Sequence, residues 1–395
     1  MSFTDAPMAG PRYTPLAMLE RLVAFPTEST TSNLALIDFV EDYLRAWGVP
    51  ATRIPNAAGD KAALFATVGP AGDGGIVLSG HTDVVPVAGQ VWTSDPYALR
   101  VADGRAFGRG AVDMKGFVAT ALALVPDFLA APLAIPIHLF LSYDEEITCL
   151  GVVDGIARMG RDLPTPAMAI VGEPTCLAVT DAHKSVVSLR TTVVGQAGHS
   201  SRPAAGASAV MAAGELIAEL VRMQERLIEE GDPSHRFDPP YSTVHVGVVS
   251  GGVARNILAP QCQFLWEFRG LPGRTHEAVM AEFDQFATDV VLRRMRRGAP
   301  GAAIETICEV AVPHLSPRPG SPAEVLALRL VDSNRTITVP YATEAGHFQD
   351  AGIPTVVCGP GSIDQAHQAD EFISLADLDA GERFLRRLAH EISRP

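Results

Sequence analysis

Helical and strand patterns alternate along most of this chain, and the alternation restricts its fold more than any other feature of the sequence. Apolar residues at helical spacing predict helices, and short continuous apolar runs predict buried strands. The predicted helices cover 15–24, 32–47 and 115–128, and the predicted strands cover 62–68, 75–79, 135–141 and 167–171. Gly48 is expected to end the second helix. Such alternation is typical of an α/β domain with a mainly parallel sheet.

The pattern changes near Lys184, where a second set of elements begins. The predicted order is strand, helix, strand, strand, helix, strand, which is that of a ferredoxin-like (βαββαβ) unit. These elements cover 185–194, 206–230, 242–250, 261–269, 275–296 and 303–310, and the first pattern then resumes at 323–331, 354–358 and 375–393. A chain of 395 residues is long enough for two domains. We therefore predict a larger α/β domain (1–184 and 311–395) interrupted by an inserted domain (185–310).

Composition excludes several classes of protein. Hydrophobic residues make up 47% of the chain, which is enough for a large core. Acidic residues outnumber basic ones, 45 to 31, so nucleic acid and anionic membranes are poor partners. The five cysteines form no CxxC pair, which argues against a disulfide framework or a thiolate metal site and favours the cytoplasm. Residues 1–15 lack the apolar core of a signal peptide, and no apolar run predicts a membrane span.

Side chains that can bind metal ions follow four of the predicted strands. They are His81 and Asp83, Glu145 and Glu146, Glu173, and His367, while Asp113 lies in a loop before a helix. Because the carboxyl ends of parallel strands meet at the ligand-binding edge of a sheet, we expect these groups to converge. Imidazole and carboxylate without thiolate suit zinc, or cobalt and manganese. The set is large enough for two ions, which can hold a hydroxide, polarise a carbonyl and so hydrolyse an amide or ester.

Six motifs between residues 79 and 371 give the chain a family resemblance. They are Ser79-Gly-His-Thr-Asp83, Gly108-Arg-Gly-Ala-Val-Asp-Met-Lys-Gly116, Tyr143-Asp-Glu-Glu146, Gly172-Glu-Pro-Thr175, Gly198-His-Ser-Ser-Arg-Pro203 and Gly359-Pro-Gly-Ser-Ile-Asp-Gln-Ala-His-Gln-Ala-Asp-Glu371. The sequence resembles the dinuclear zinc aminoacylase, acetylornithine deacetylase and glutamate carboxypeptidase metallohydrolases. The resemblance implies a zinc-peptidase-like catalytic domain, and an inserted domain that serves as a lid and in dimerisation.

The resemblance also implies a role for each metal-capable residue. His81 and Glu173 become the terminal ligands of one zinc ion, Glu146 and His367 those of the other, and Asp113 bridges the two. Asp83 is expected to hold the ring of His81 without binding metal, which fixes its tautomer. Glu145 is the expected general base, because that role needs a carboxylate beside the ions. In the family the bond after the bridging aspartate is often cis, here Asp113–Met114.

In this family a histidine of the inserted domain reaches the active site of the partner subunit and stabilises the tetrahedral oxyanion. His199 matches that motif, so the resemblance implies a homodimer and closure of the inserted domain over the substrate. Glu at position 173 goes with N-acylated amino acids in the family, whereas dipeptidases more often have Asp there.

The expected substrate contacts come from two regions. Asn256 and Arg269 match the family positions for the substrate carboxylate, which a guanidinium fork suits. The segment Thr343-Glu-Ala345 resembles the acetylornithine deacetylase branch, and we hypothesise that Glu344 binds the side-chain amine of ornithine. The expected reaction is therefore N2-acetyl-L-ornithine to L-ornithine and acetate, in arginine biosynthesis. Succinyl-diaminopimelate desuccinylase and a broad aminoacylase are alternatives within the enzyme class.

Several residues also have plainer interpretations. Glu173-Pro174 is compatible with a simple turn, His199 with a helix-capping loop, Arg269 with a local pair to Glu267, and Glu344 with a surface carboxylate. His138 lies in an apolar strand and is expected to be a hydrogen-bonded core residue, and Cys149 a small buried one. A catalytically silent binding relative is the alternative outside the enzyme class. The retained Glu145 argues against it, since a pure binder has no use for an unligated carboxylate beside the metals.

Overall fold

A computed structural model describes residues 10–394 and divides the chain into two compact units. The first unit comprises the chain up to Asp181, together with Pro317–Ile337 and the residues from Thr343 onward. The second unit comprises Ala182–Ser316 and Thr338–Ala342. In sequence the second unit therefore interrupts the first. The expectation that residues 1–15 are not a signal peptide falls largely outside the described residues.

From residue 10 to the start of the second unit, the described chain forms thirteen helices and strands. They are α1 (Pro15–Val23), α2 (Leu34–Ala46), β1 (Ala51–Pro55), β2 (Ala62–Val68), β3 (Ile76–His81), β4 (Arg100–Ala102), β5 (Arg105–Phe107), α3 (Lys115–Ala123), α4 (Val125–Ala130), β6 (Ile137–Ser142), α5 (Val153–Arg158), β7 (Met168–Pro174) and β8 (Thr180–His183). The last of them, β8, extends two residues into the second unit. The helix predicted over 115–128 is divided into α3 and α4. Gly48 follows α2 with a left-handed φ of 73°, as its helix-ending role requires.

The second unit and the return to the first supply the remaining elements. The second unit contains β9 (Val186–Val194), α6 (Ala209–Glu230), β10 (Thr243–Gly251), β11 (Gln261–Arg269), α7 (His276–Phe286), α8 (Arg293–Met295) and β12 (Ala303–Val312). The chain then forms α9 (Pro322–Leu330), β13 (Ile337–Val339), α10 (Ala345–Asp350), β14 (Thr355–Gly359), β15 (Phe372–Ser374) and α11 (Leu375–Glu391). A π-helical segment, Ala287–Leu292, divides the helix predicted over 275–296.

The main sheet has eight strands in the order β1-β2-β6-β3-β7-β14-β8-β13. The four central strands, β6, β3, β7 and β14, are parallel, and β2 and β8 flank them in antiparallel orientation. Strands β3 and β6 are buried along their whole length, which explains why they read as continuous apolar runs. Ser79 lies opposite both Phe140 and Val171, so these strands end at one common edge.

Two further features belong to the core of the first unit. Helix α3 is buried all round and packs against α1 and α11, as its apolar composition requires. His138 in β6 is a hydrogen-bonded core residue, as predicted: Thr67 Oγ1 lies 3.0 Å from its Nδ1, and its Nε2 lies 2.9 Å from the carbonyl oxygen of Gly74.

Among residues 10–394, no helix has both the length and the apolar character that a membrane crossing demands.

The second unit is built on a four-stranded antiparallel sheet in the order β10-β11-β9-β12. This order, with the sequence βαββαβ, is that of a ferredoxin-like fold, so the predicted fold class is confirmed for both parts of the chain. Along β9 and β11, buried residues alternate with partly buried or exposed ones. Their buried side chains pack against helices α6 and α7, and Phe264, Trp266 and Phe283 form the centre of this core.

Candidate metal centre

His81 lies at the end of β3 with its ring fully buried. Its Nδ1 lies 2.9 Å from the carbonyl oxygen of Asp83, so the Nδ1 proton is donated there and Nε2 faces the other way. Around Nε2 are three carboxylate oxygens: Asp113 Oδ1 at 3.1 Å, Glu173 Oε1 at 3.9 Å and Glu145 Oε2 at 4.0 Å. The ring is thus presented to carboxylates that come from three other segments of the chain.

Asp113 lies in the loop before α3, and the peptide bond to Met114 is cis, as the resemblance implies. Its Oδ1 faces His81, while its Oδ2 lies 3.2 Å from Nε2 of His367. Burial raises the pKa of Asp113, but hydrogen bonds from His367 and His81 outweigh it and hold that pKa well below its usual value. A carboxylate whose two oxygens face two different imidazoles has the arrangement that a bridging ligand needs.

His367 also pairs with Glu146, whose Oε2 lies 2.9 Å from its Nε2. Hydrogen bonds with Asp113 and Glu146 raise the pKa of His367 to about 10. The His367 side chain is 51% exposed, in contrast to the buried His81. This half of the site is therefore the more open one.

Two groups of three residues place ligand atoms within 4.8 Å of one another: His81 with Asp113 and Glu146, and His81 with Glu145 and Glu173. Burial raises the pKa of Glu145 and Glu173 well above the usual value and that of Glu146 to about 7. Within the described part of the chain, the buried Oε1 of Glu173 has no hydrogen-bond partner. Crowded carboxylates of this kind are stabilised by divalent cations, which offset their mutual repulsion.

Asp83 holds more of the site than the sequence predicts. Its Oδ1 lies 3.5 Å from Nδ1 of His81, while its backbone carbonyl is closer and makes the main contact with that ring. The carboxylate accepts hydrogen bonds from the amides of Glu145 (3.2 Å) and Glu146 (3.3 Å) and from the Ser29 hydroxyl (2.7 Å). Asp83 therefore positions the Glu145–Glu146 turn as well as His81.

Glu344 is buried in the first unit, beside the end of β3. Its Oε2 accepts a hydrogen bond of 3.3 Å from the Ser79 hydroxyl, and its Oε1 has no partner among the described residues. Burial raises the pKa of Glu344 to about 7. The plainer interpretation of a surface carboxylate is wrong, because the residue is 1% exposed. Thr343 is buried as well, and its hydroxyl accepts the amide of Ala345 at the start of α10.

The other three predicted residues belong to the second unit. His199 and Asn256 are exposed on adjacent segments, where the Ser200 amide donates to the carbonyl of Asn256. Nδ1 of His199 accepts the Ser201 amide at 3.1 Å, which leaves the proton of a neutral ring on Nε2. Arg269 makes two hydrogen bonds to Glu267, at 3.0 and 3.2 Å, so the local pair that the sequence left open is present.

Residues 77–391 match peptidase family M20/M25/M40. The chain belongs to this family. Acetylornithine deacetylase from Myxococcus xanthus is 36% identical over 384 residues, which is 95% of this chain and 96% of that protein. Aminopeptidase PepT from Bacillus cereus has a similar fold, with a TM-score of 0.74 and 17% identity over 96% of this chain and 98% of that one. A dinuclear metal-binding peptidase of the M20 family from Bacillus subtilis has a TM-score of 0.65 and is 16% identical, over 96% of this chain and 97% of that one.

Membership of the M20 family confirms the expectation of a metal-dependent amide hydrolase, and the structure has a site that fits divalent ions. The donor set consists of imidazole nitrogens and carboxylate oxygens, and one of these oxygens, the buried Oε1 of Glu173, has no hydrogen-bond partner among the described residues. Burial raises the pKa of three of its carboxylates, which a cation would reverse. The residues present therefore suit the ions that this M20 enzyme requires.

Sequence reasoning missed the groups that fix these side chains in place. Ser29 lies outside the six motifs, and the groups of Glu145 and Glu146 that donate to Asp83 are backbone amides, which a side-chain motif does not reveal. Cys149, expected to be a small buried residue, is buried and also lies with its Sγ 3.3 Å from Oε1 of Glu145. The only available signal was spacing, since Cys149 follows Glu145 by four residues within a turn.

Proposed function

We propose that the protein hydrolyses N2-acetyl-L-ornithine to L-ornithine and acetate, as a cytoplasmic enzyme of arginine biosynthesis. The observation that carries the proposal is the group of two histidines and four carboxylates at the common edge of β3, β6, β7 and β14. Relatives named acetylornithine deacetylase, 33–36% identical over most of the chain, support this substrate. Succinyl-diaminopimelate desuccinylase or broad aminoacylase activity is the alternative.

The proposed ligands divide into two sets that share Asp113. His81 and Glu173 would hold one ion and Glu146 and His367 the other, with zinc as the proposed metal and cobalt as a substitute. When bound, two such ions polarise the amide carbonyl and lower the pKa of a water molecule. The two oxygens of Asp113, each directed at a different histidine, support its role as the bridge.

Glu145 is the proposed general base. Its Oε2 lies 4.0 Å from Nε2 of His81, which puts the carboxylate beside the candidate ligands. The contacts of the other histidine, His367, are with Asp113 and Glu146. Glu145 would take a proton from the attacking water as the oxygen bonds to the carbonyl carbon. It would return that proton to the nitrogen as the C–N bond breaks, which releases acetate and the free amine. Asp83, through the Glu145 amide, would hold this carboxylate beside the substrate.

Glu344 is the proposed contact for the substrate side chain, together with Thr343. An unpaired oxygen on a buried carboxylate is costly unless a ligand satisfies it. The ammonium group of ornithine carries the donors and charge that this oxygen lacks. A neutral side chain, such as that of acetylmethionine, would leave Glu344 as it is in the free enzyme.

The proposed assembly is a homodimer formed through the second unit, in which His199 acts on the active site of the partner subunit. Its Nε2 proton is available for donation to the oxyanion, because Nδ1 accepts the Ser201 amide. Asn256 and Arg269 are the proposed contacts for the substrate carboxylate. The two bonds to Glu267 use Nε and Nη2 of Arg269, and among the described residues Nη1 makes no hydrogen bond.

The adjacent residues Glu145 and Glu146 provide a matched test of the mechanism. We expect Glu145→Gln to lower kcat by about 10²–10⁴-fold while the protein still binds two metal ions. Glu146→Gln is expected to lower metal content as well. A chelator should abolish acetate release from the wild-type enzyme, and zinc or cobalt should restore it. Chelator-resistant activity, or metal loss equal in both variants, would refute these assignments.

Glu344→Gln tests the substrate. We expect wild-type kcat/KM to be highest for acetylornithine in a panel with acetylcitrulline, acetylmethionine and succinyl-diaminopimelate. The variant should lose about 10–100-fold on acetylornithine, the worth of a charged hydrogen bond, and much less on acetylmethionine. Equal fractional losses on both substrates would show that Glu344 does not bind the amine. A preference for succinyl-diaminopimelate would favour the alternative function.

Mixing two inactive variants tests the role of His199. A dimer of one Glu145→Gln and one His199→Ala subunit has one site with both residues intact only if His199 acts across the dimer. Random exchange should then restore about a quarter of the wild-type activity. A monomeric native protein, or no recovery in mixed dimers, would contradict this part of the proposal.

A further inference from the structure

Glu371 ends the last of the six sequence motifs, but no role in the proposed reaction falls to it. It lies just before β15, which pairs with β5, so the segment His367–Glu371 runs beside the loop Gly108–Asp113. The amide of Gly108 donates to the carbonyl of Glu371 at 2.9 Å. The Glu371 side chain is 1% exposed and turns into the loop.

The Glu371 carboxylate accepts four hydrogen bonds from the loop that carries Asp113. Its Oε2 accepts Arg109 Nη1 at 2.7 Å and the Gly110 amide at 3.0 Å. Its Oε1 accepts the amides of Val112 at 3.0 Å and Asp113 at 3.2 Å. The backbone of the proposed bridging ligand is thus fixed by a buried carboxylate that is not itself placed among the ligands.

The same network reaches His367 by a second route. Arg109 also donates through Nη2 to Oε1 of Gln90 at 2.5 Å. Gln90 in turn donates through Nε2 to the carbonyl of His367 at 2.8 Å. His367 has a left-handed φ of 62°, which is uncommon for a residue with a side chain, so the contact at its carbonyl helps to hold this conformation.

We infer that Glu371 is a positioning residue that acts with Arg109 and Gln90. Together they hold Asp113 and His367 at the separation required by the metal ion that Glu146 and His367 would bind. The inference rests on the proposed metal centre. It applies chiefly to the ion held by Glu146 and His367, because His81 is fixed separately, through the carbonyl of Asp83. Glu371 thereby sets the affinity of one ion more than that of the other.

Glu371→Gln impairs the proposed positioning role of Glu371 while keeping the shape of the side chain. The amide group offers one acceptor oxygen in place of two, so its nitrogen would face either Arg109 and Gly110 or Val112 and Asp113. In both orientations two loop donors lose their partner. Removing an outer partner of a metal ligand typically lowers metal affinity by about 10–100-fold.

The test is a titration of the metal-free protein with Co²⁺, followed by visible absorption. We expect two binding steps in the wild-type protein, and His367→Ala should remove the step that belongs to its site. Glu371→Gln should weaken that same step by at least about tenfold and change the other by less than about threefold. This readout is independent of catalysis.

Asp232→Asn is the matched control. Asp232 is a buried carboxylate of the second unit that accepts the amides of Ser234, Arg236 and Phe237, so its loss also frees backbone donors. It should leave both Co²⁺ steps unchanged. If Glu371→Gln leaves both steps unchanged, or weakens both equally, the inference is overturned.

Gln90→Leu keeps the test decisive if Glu371→Gln does not fold. Gln90 is only partly buried, and its removal should weaken the His367 step alone. An unchanged His367 step in this variant would overturn the inference. If the wild-type protein itself lacks two binding steps, the proposed metal centre fails, and this inference with it. Two wild-type steps with no response to either variant would refute only the role of Glu371.

Discussion

Asp83→Asn is the substitution whose effect follows most directly from the structure. The carboxylate accepts the amides of Glu145 and Glu146 on different oxygens, and Ser29 donates to the second of these. Asparagine keeps the shape but offers a single acceptor oxygen, so at least one of these donors would face an NH₂ group. An unsatisfied buried donor costs about 1–3 kcal/mol, and the loss of charge weakens the bonds that remain. We therefore expect the free energy of unfolding of the metal-free protein to fall by about 2–4 kcal/mol.

The metal-bound enzyme should be affected more specifically. The Asp83 backbone carbonyl, which asparagine keeps, still holds His81. Because the carboxylate holds the Glu145–Glu146 turn, we expect Asp83→Asn to lower metal affinity by about 10–100-fold. Urea unfolding of the metal-free protein and Co²⁺ titration measure the two effects. Asp73→Asn is a suitable control, because Asp73 also accepts a backbone amide, that of Thr165, on an exposed surface. If Asp83→Asn matched this control in both measurements, our account of Asp83 would be refuted.

Two other predictions concern packing and pH. Gly172→Ala places a methyl group about 2.1 Å from the buried ring of Phe117, so it should destabilise the protein by about 1–3 kcal/mol in thermal unfolding. Gly214→Ala, in helix α6, adds a methyl group where no atom lies within 4 Å, so it should stabilise the protein by up to about 1 kcal/mol. The pKa of Asp232 lies at about 2, because hydrogen bonds from Ser234, Arg236 and Phe237 outweigh the effect of burial. A carboxyl with a lowered pKa stabilises the fold fully above its unfolded pKa of 3.8 and loses that contribution as the pH falls through about 2. At pH 7, amide hydrogen exchange at residues 234–237 should therefore be faster in Asp232→Asn than in the wild-type protein. The difference in exchange protection should be smaller at pH 3, and an equal difference at both pH values would contradict this.

The convergence of the candidate ligands was predictable because it depends on strong patterns. Strands β3, β6 and β7 contain continuous apolar runs. His81 ends β3, Glu173 lies next to the end of β7, and Glu145 follows the end of β6 by three residues. Parallel strands bring such residues to one edge irrespective of their separation in the chain. The ferredoxin-like unit was predictable for a similar reason, since its strands alternate and its helices are long.

The parts that were missed depend on weak or absent side-chain patterns. Strands β4, β5 and β15 have three residues each, which is too short for any periodicity, yet they hold Glu371 beside Asp113. The hydrogen bonds of Asp83 and Glu371 go to backbone amides, which every residue except proline possesses. The π-helical segment at 287–292 still buries Ala287, Val291 and Leu292, so the sequence predicts an ordinary helix there.

The position of β14 affects how the protein is made on the ribosome. This strand lies between β7 and β8, yet it is synthesised only after the whole of Ala182–Ser316. The second unit has its four strands in one continuous stretch and can fold as soon as it emerges. Until β14 has been synthesised, β7 lacks its neighbour on one side of the main sheet, and His367 is absent. A nascent chain of this protein therefore exposes an unpaired edge of β7 for nearly half of its synthesis, and this edge is a natural target for chaperones.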